Sequence, residues 1–326
     1  MKSASRRRAA ASMLAFTATA ALALTACSSG AATDTEAPAE GGAADSVKIG
    51  LISSANNYWG GCMQGGVEAA ATENSVELLV ANSDGDAAKE LSNVEDMISR
   101  GVDAILLNTV SVDALQGGIQ KAQSANIPMY MIAVVPQNLD DVLGATIVDL
   151  NGVGGMAAGW ITEDAAGADA TAALVVGATG AASDMLAAGF EKALPGSISV
   201  VANQPGMYNR AKAMEVTENI IEANPDLDYL FVLNEDMAAG ARAAFDGAGA
   251  QNVKIVTMNG TEDGIAAIEA GSFSATISDS AAMLGATSLE NALALLNGDS
   301  DQKVSAMDVK LITEANLDEA IPFCSL

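Results

Sequence analysis

Polar and aromatic side chains follow several short apolar runs of this sequence, where they could bind a small molecule. The polar ones are asparagines, aspartates and one serine, at Ser53, Asn57, Asn108, Asp149, Asp184, Asn234, Asn259 and Asp279. An asparagine amide both donates and accepts hydrogen bonds, as neighbouring hydroxyl groups require. Trp59 and Tyr208 add aromatic faces that could cover the C–H face of a sugar or polyol ring. Such a mixture is typical of pockets for small neutral ligands.

Each of these residues alone also has a structural explanation. Asn and Asp are common turn and helix-capping residues, and Trp59 and Tyr208 could be ordinary core or surface aromatics. The prediction of a binding site therefore depends on their coincidence at strand ends that face one cleft.

The apolar runs indicate buried strands, and amphipathic helices separate them. The runs are VKIGLIS, VELLVAN, AILLNT, PMYMIA, TAALVVGA, ISVVANQ, YLFVLNE and VKIVTMN. They are apolar throughout, which predicts strands buried on both faces. Between two of them, residues 88–100 place Leu91, Val94 and Ile98 on one helix face, and Gly101 ends that helix. This alternation predicts parallel, doubly wound α/β sheets.

The strand–helix pattern occurs twice, which predicts two similar lobes. In both copies an acidic helix leads to a buried strand that ends in Leu-Asn, at Leu107-Asn108 and at Leu233-Asn234. Two α/β lobes imply a cleft between them, and ligands of open α/β sheets bind beyond the carboxyl ends of the strands. The polar residues that close the apolar runs should therefore line that cleft.

The N-terminus reads as a secretory signal rather than as part of the fold. Lys2 and three arginines precede an apolar stretch that ends in LTAC, with Cys27 last. LTAC resembles the lipobox of bacterial lipoproteins, so we expect a signal peptide at 1–26 and a lipid on Cys27; a plain secretory signal is the alternative. The stretch is shorter than the roughly 20 residues of a membrane span. The small, acidic residues 27–46 predict a flexible tether.

Composition excludes several classes of function. The net charge is −26, and about −30 after loss of the signal, which opposes binding to nucleic acid. The chain has no histidine, which removes the usual general base and the commonest zinc ligand. We expect no metal and no cofactor. Cys62 and Cys324 could form a disulfide outside the cell membrane or remain two separate thiols.

Residues 47–309 resemble the type I periplasmic sugar-binding proteins, the ribose-binding-protein-like receptors of ABC transporters. The resemblance is clearest in KIGLISSANNYWGG, DAAKELSNVEDMISRGVDAILLN, SANIP, FVLNEDMAAGARAA and VTMNGTEDGIAAIEAGSFSATI. It implies two Rossmann-like lobes, joined by three crossings near 147–149, 278–282 and 307–310, that close by hinge motion. The N-terminal lobe would be 47–147 plus 280–307, the C-terminal lobe 149–278, and the tail 308–326 would lie near the hinge.

The resemblance also implies a monomeric, lipid-anchored receptor on the extracytoplasmic face of the membrane, with an ABC permease as its partner. It places the ligand-binding residues on those named at the outset, with Trp59 and Tyr208 as aromatic walls. The arginines of many sugar-binding members are missing here, because Ala133-Val134 and Asp184 occupy those positions. The ligand is therefore expected to be a sugar or polyol or, alternatively, an amine-bearing or cationic molecule.

Three other classes of protein compete with this interpretation. An enzyme is disfavoured because no nucleophile–base pair, cofactor motif or metal cluster stands out in the sequence. A LacI-like repressor would begin with a helix-turn-helix, whereas this chain begins with a signal. The third class is a receptor that passes its signal to a membrane signalling protein instead of a permease, and it remains an alternative.

Overall fold

The computed structural model describes residues 46–134, 138–178 and 181–326. The predicted signal peptide, the lipidation site Cys27 and the tether up to residue 45 lie outside the described residues. Within the described part, two six-stranded sheets with their helices form two α/β lobes, so the predicted fold class is confirmed.

Strands and helices alternate along almost the whole described chain. The first elements are β1 (Lys48–Ser53), α1 (Tyr58–Glu73), β2 (Glu77–Asn82), α2 (Ala87–Ser99), β3 (Ala104–Leu107), α3 (Val112–Ser124), β4 (Met129–Ala133), a 3-10 turn (Leu139–Asp141) and β5 (Gly144–Ile147). The next are α4 (Leu150–Ala165), β6 (Ala170–Val176), α5 (Ala181–Ala193), β7 (Ile198–Pro205), α6 (Arg210–Ala223), β8 (Tyr229–Val232), α7 (Glu235–Ala248), β9 (Lys254–Asn259), α8 (Glu262–Glu269) and β10 (Ala275–Ser278). The last are α9 (Ala281–Asn297), β11 (Val304–Ala306), β12 (Lys310–Ile312) and a 3-10 segment (Glu314–Glu319).

The two sheets have matching strand orders. The first runs β11-β5-β4-β3-β1-β2 with all strands parallel, and the second runs β12-β10-β9-β8-β6-β7 with only β12 antiparallel. The central strands are buried on both faces, as the apolar runs predicted, because helices cover both sides of a parallel sheet.

Two details of the sequence interpretation are wrong. The runs VELLVAN and ISVVANQ form the edge strands β2 and β7, which are partly exposed because helices cover an edge less completely. On α2 the buried residues are Glu90, Val94 and Met97, whereas Leu91 and Ile98 lie at the margin of the buried face. The sequence interpretation placed the buried face of α2 incorrectly because the first buried residue of that face, Glu90, is charged.

Close helix packing sets the position of α1. A Cβ at Gly66 of α1 would overlap the carbonyl oxygen of Ala282 on α9, and a Cβ at Gly285 of α9 would overlap that of Met63 on α1. Only glycine therefore allows the two backbones to approach this closely. The contact holds α1 against α9, and Asn57 and Trp59 lie at the start of α1.

The chain passes between the sheets three times, after β5, after β10, and between β11 and β12. Because β5, β10 and β11 all leave their sheets at carboxyl ends, both carboxyl edges adjoin the crossings. The side chain of Met307, in the third crossing, packs against the cores of both lobes. The residues that follow the strands of either lobe therefore lie near this junction.

The C-terminal tail contacts both lobes. β12 pairs with β10 in the second sheet, and the Ile321 N–H then donates to Ser278 Oγ at 2.8 Å. Further on, Phe323 is buried in the core of the first lobe. The structure joins Cys324 to Cys62 of α1 in a disulfide, with 4.8 Å between the Cα atoms, which resolves the alternatives that the sequence left open. The tail is thus a covalent link between the second lobe and α1.

Loss of this disulfide should destabilise the protein. We expect replacement of both Cys62 and Cys324 by serine to lower the free energy of unfolding by roughly 2–4 kcal/mol, because the bond constrains the unfolded chain across a separation of 262 residues. Urea unfolding with and without reductant measures the effect. Reductant should lower the wild-type midpoint and leave the double variant unchanged, and an unaffected wild type would contradict the expectation.

Candidate ligand-binding site

In the first lobe, Asn108 ties together the ends of three strands. Its Oδ1 accepts a hydrogen bond from Ser54 Oγ at 2.6 Å, and its Nδ2 donates to the Ile132 carbonyl at 3.3 Å. Ser54 follows β1, Asn108 follows β3, and Ile132 belongs to β4. The neighbouring Ser53 is almost fully buried. Asn108 therefore has one Nδ2 hydrogen left for a ligand.

Asn57 and Trp59 lie at the start of α1. Asn57 caps the helix, because its Oδ1 accepts from the Gly60 N–H at 2.8 Å. This bond determines which way the exposed amide is turned and leaves its two Nδ2 hydrogens to offer. Trp59 is half-buried and packs against the core of the first lobe, whereas the exposed ring of Tyr58 stacks on Phe323 of the tail at 5.7 Å.

In the second lobe, Tyr208 is an exposed aromatic beside the end of β6. A Cβ at Gly177 would overlap the Tyr208 ring, so the ring lies directly on the glycine. Met207 and Tyr208 both have left-handed backbone conformations, with φ of 57° and 50°. Two successive non-glycine residues in this region are costly, and such strain is characteristic of functional sites.

Asn234 and Asp184 lie at the starts of α7 and α5, the helices that follow the paired strands β8 and β6. Asn234 follows β8 and caps α7, with its Oδ1 accepting from the Met237 N–H at 2.8 Å. Its Nδ2 hydrogens thus remain available, as those of Asn57 do. Asp184 is exposed in the first turn of α5, and the adjacent Ser183 Oγ donates to the Ala178 carbonyl at 2.7 Å, which holds this turn against the loop after β6.

Asn259 and Asp279 are neighbours at the carboxyl edge of the second sheet. Asn259 ends β9 with a strained φ of 116°, and its backbone carbonyl accepts a hydrogen bond from the Asp279 N–H at 3.2 Å. Asp279 is 5% exposed, and its Oδ1 has no hydrogen-bond partner among the described residues. Burial raises the pKa of Asp279 to about 7; the nearby Asn259 side chain opposes the rise and the charge of Glu235 adds to it. A buried acceptor without a partner is suited to a ligand hydroxyl.

Asp149 lies in the first crossing, at the junction of the lobes. It is exposed and caps α4, with its Oδ1 accepting from the Gly152 N–H at 3.0 Å. Ala133 ends β4 with φ of 72°, so it is strained like Met207, Tyr208 and Asn259. The structure thus brings one group of candidate residues together at the edge of the first sheet and another at the edge of the second, with Asp149 between the sheets.

Two buried glutamates, Glu90 and Glu235, also contact these loops, and the sequence interpretation missed both. Glu90 could have been found, because it has the i, i+4, i+7 spacing with Val94 and Met97 that marks the buried face of α2. Glu235 directly follows Asn234 at a helix start, where an acid is normally read as a favourable interaction with the helix dipole.

Comparisons with known proteins now bear on this arrangement. Residues 49–300 match the model of the periplasmic binding protein domain. The ribose import binding protein of Escherichia coli strain K12 is 32% identical over 266 residues, which cover 81% of this chain and 89% of that protein. The chain belongs to the type I periplasmic sugar-binding proteins. The resemblance inferred from the sequence is therefore confirmed.

Other members of the family agree with this assignment. The ribose import binding protein of Bacillus subtilis strain 168 is 29% identical and covers 85% of this chain and 90% of its own length. The periplasmic binding protein of the arabinose ABC transporter of Shewanella sp. ANA-3, solved with α- and β-L-arabinofuranose, is 25% identical, with a TM-score of 0.78 and coverage of 83% and 93%. These relatives are binding proteins rather than enzymes.

The buried Asp279 should make stability depend on pH. In the folded protein its pKa of about 7 lies above its ordinary value, so the folded state favours the protonated acid. The resulting contribution to stability is fully present below pH 4 and is lost as the pH rises through 7. We expect Asp279→Asn to be more stable than the wild type by a few kcal/mol at pH 8, since each pKa unit corresponds to about 1.4 kcal/mol, and to lose this advantage near pH 4. Urea unfolding across this range measures the difference.

Asp164→Asn serves as a control of opposite sign. Partial burial raises the pKa of Asp164, but hydrogen bonds from Lys254 and Tyr229 outweigh this effect and hold the pKa below its usual range. Asp164 therefore stabilises the protein at neutral pH, and its replacement should cost stability there and little in acid. A difference between Asp279→Asn and the wild type that stays constant from pH 4 to 8 would contradict the role of Asp279.

Proposed function

We propose that this protein is the receptor of an ABC importer and that it binds a neutral sugar or polyol between two closing lobes. Its membership of the family supports a receptor of this kind. The observation that carries the choice of ligand is the orientation of the asparagine amides. It determines which hydrogen-bonding groups the protein presents.

The asparagines present donors to the ligand. The Oδ1 atoms of Asn57 and Asn234 accept backbone hydrogen bonds at helix starts, and that of Asn108 accepts from Ser54. Each amide is left with Nδ2 hydrogens, which need acceptors on the ligand. A hydroxyl oxygen supplies such an acceptor, whereas a protonated amine has none.

The acidic residues present acceptors. Oδ1 of Asp279 is buried without a partner among the described residues, and Asp149 and Asp184 are exposed near the same junction. Hydroxyl groups donate to carboxylates and accept from amides at once, so sugars and polyols satisfy both sets of groups. A cationic ligand that lacks hydroxyl groups would satisfy the acids but leave the amide donors without acceptors.

Two aromatic rings complete the proposed pocket. Tyr208 would cover one face of the ligand from the second lobe, since it is exposed and its ring is supported by Gly177. Trp59 would cover the other face from the start of α1. Ser53 and Asn259 would shape the pocket from beneath, by contacts with Gly60 and Asp279.

The cellular context is the second part of the proposal. The LTAC sequence supports a lipid on Cys27, with residues 27–46 as tether on the extracytoplasmic face. In the part of the chain that the structure describes, no helix has the length and apolar character needed to span a membrane. The monomeric receptor would deliver its ligand to an ABC permease; delivery of a signal to a membrane signalling protein is the alternative.

Calorimetric titration with pentoses, hexoses, polyols and small amines tests the choice of ligand. The wild type should bind a sugar or polyol. Asn234→Asp should weaken that binding roughly 10- to 100-fold, because aspartate keeps the helix cap but replaces the N–H donor by an acceptor. For a cationic ligand the same change should strengthen binding.

Asn252→Asp is a charge-matched control for this experiment. Asn252 is exposed in the turn before β9, at the opposite edge of the same sheet, so the added charge should leave affinity unchanged. Heat from amines alone, or an Asn234→Asp variant that binds a sugar as tightly as the wild type, would reject the proposed arrangement.

The lipid anchor is tested by the Cys27→Ser variant in a bacterial host that processes lipoproteins. The wild type should incorporate labelled fatty acid and sediment with membranes, whereas the variant should do neither, because it lacks the acceptor thiol. Titration of both proteins with the same ligand should give equal affinities. Absence of label from the wild type would favour a plain secretory signal.

A further inference from the structure

Glu235 is a buried carboxylate that accepts hydrogen bonds from two segments at the carboxyl edge of the second sheet. Its Oε1 accepts from the Gly260 N–H at 2.9 Å and from Thr276 Oγ1 at 2.8 Å, and its Oε2 accepts from the Thr261 N–H at 2.8 Å. Gly260 and Thr261 directly follow Asn259, and Thr276 lies on β10 just before Asp279. One side chain that is 5% exposed thus holds the loop of Asn259 against the strand that leads to Asp279.

Glu90 makes a similar set of contacts in the first lobe. Its Oε1 accepts from Thr109 Oγ1 at 2.8 Å and its Oε2 accepts from the Val110 N–H at 2.6 Å. Thr109 directly follows Asn108, and Glu90 is 4% exposed. Each glutamate lies in the first turn of the helix before a strand and reaches the loop after that strand.

We propose that Glu235 and Glu90 are positioning residues of the ligand site, which fix the loops that carry Asn259 and Asn108. This inference rests on the proposed function, because it assigns these asparagines to the ligand. The two glutamates do not occupy equivalent places in the two lobes, since α2 precedes the third strand of its lobe and α7 the fourth. The same contact has therefore been built twice on different elements.

The chemistry of these contacts requires a carboxylate. Every group that reaches Glu235 or Glu90 is a donor, either a backbone N–H or a hydroxyl, and an ionised carboxylate only accepts. A glutamine would turn N–H groups toward these donors and leave some of them unsatisfied. Burying a charge is costly, and the helix N-terminus and the short hydrogen bonds offset that cost. The benefit is a single defined position for each loop.

Gly264 supplies independent support for the role of Glu235. A Cβ at this position, in the first turn of α8, would overlap the Glu235 carboxylate. Alanine favours a helix over glycine, so a residue other than glycine would otherwise suit this turn. The helix therefore leaves room for the carboxylate, and Gly264→Ala should displace it without a change of charge.

The experiment compares Glu235→Gln and Gly264→Ala with two controls in the same lobe. Gly247→Ala adds a methyl group to α7 where, apart from its chain neighbours and the backbone of its own helix, no atom lies within 4 Å. Asp164→Asn removes the contacts of Tyr229 and Lys254 at the starts of β8 and β9, the opposite edge of the sheet. Hydrogen exchange in the ligand-free protein and calorimetric affinity for the sugar or polyol that binds the wild type are measured.

We expect faster amide exchange at Gly260 and Thr261 in Glu235→Gln and Gly264→Ala, with at least 10-fold weaker affinity. Gly264→Ala should show this even if its melting temperature is unchanged or raised, a separation that a merely structural role would not produce. Gly247→Ala should show the same amide exchange at Gly260 and Thr261 and the same affinity as the wild type. Asp164→Asn should be less stable than the wild type but bind the ligand with the same affinity.

Unchanged exchange at Gly260 and Thr261 in Gly264→Ala would overturn the positioning role, whatever the ligand. Faster exchange with full affinity would show that the loop position does not serve binding, and would overturn it too. If the wild type binds no sugar or polyol, the proposed function fails by itself, and the exchange data still decide whether the glutamate fixes the loop.

Discussion

Hydrogen bonding of buried parallel strands is the constraint on which this structure depends. A strand covered on both faces by helices is mostly apolar along its length, so most polar side chains lie at its ends. In both sheets the crossings between the lobes leave from carboxyl ends. The same geometry therefore places the candidate ligand residues and the three crossings between the lobes at one junction.

Backbone groups at this junction do more than support the site, because they determine its polarity. Helix starts need acceptors for their free N–H groups. Asn57 and Asn234 satisfy that need with their oxygens, and their amide hydrogens remain for a partner. Capping and the proposed ligand recognition compete as explanations of an asparagine in a sequence, yet here they would use different atoms of the same side chain. Amide donors and carboxylate acceptors are the main polar groups of the proposed pocket.

The loops that bear these side chains are held by contacts that no pattern of hydrophobicity reveals. The buried carboxylates of Glu235 and Glu90 accept hydrogen bonds from backbone N–H groups of neighbouring loops. The C-terminal tail extends from the second sheet to α1, where Phe323 is buried and Cys324 is bonded to Cys62. Asn259 has a strained backbone, and it directly precedes Gly260, whose N–H donates to Glu235. A conformation that is locally unfavourable persists only where surrounding contacts determine it.

The sequence by itself determined the fold class, the central strands and the residues that end them, because apolar runs and helix periodicity are local signals. It also placed Asn108 and Asn234 at corresponding strand ends. The tertiary structure alone decided that VELLVAN and ISVVANQ are edge strands, that Glu90 heads a buried helix face, and that Cys62 meets Cys324 across 262 residues. These features depend on which elements become neighbours, and a long-range contact leaves no periodic trace in the chain.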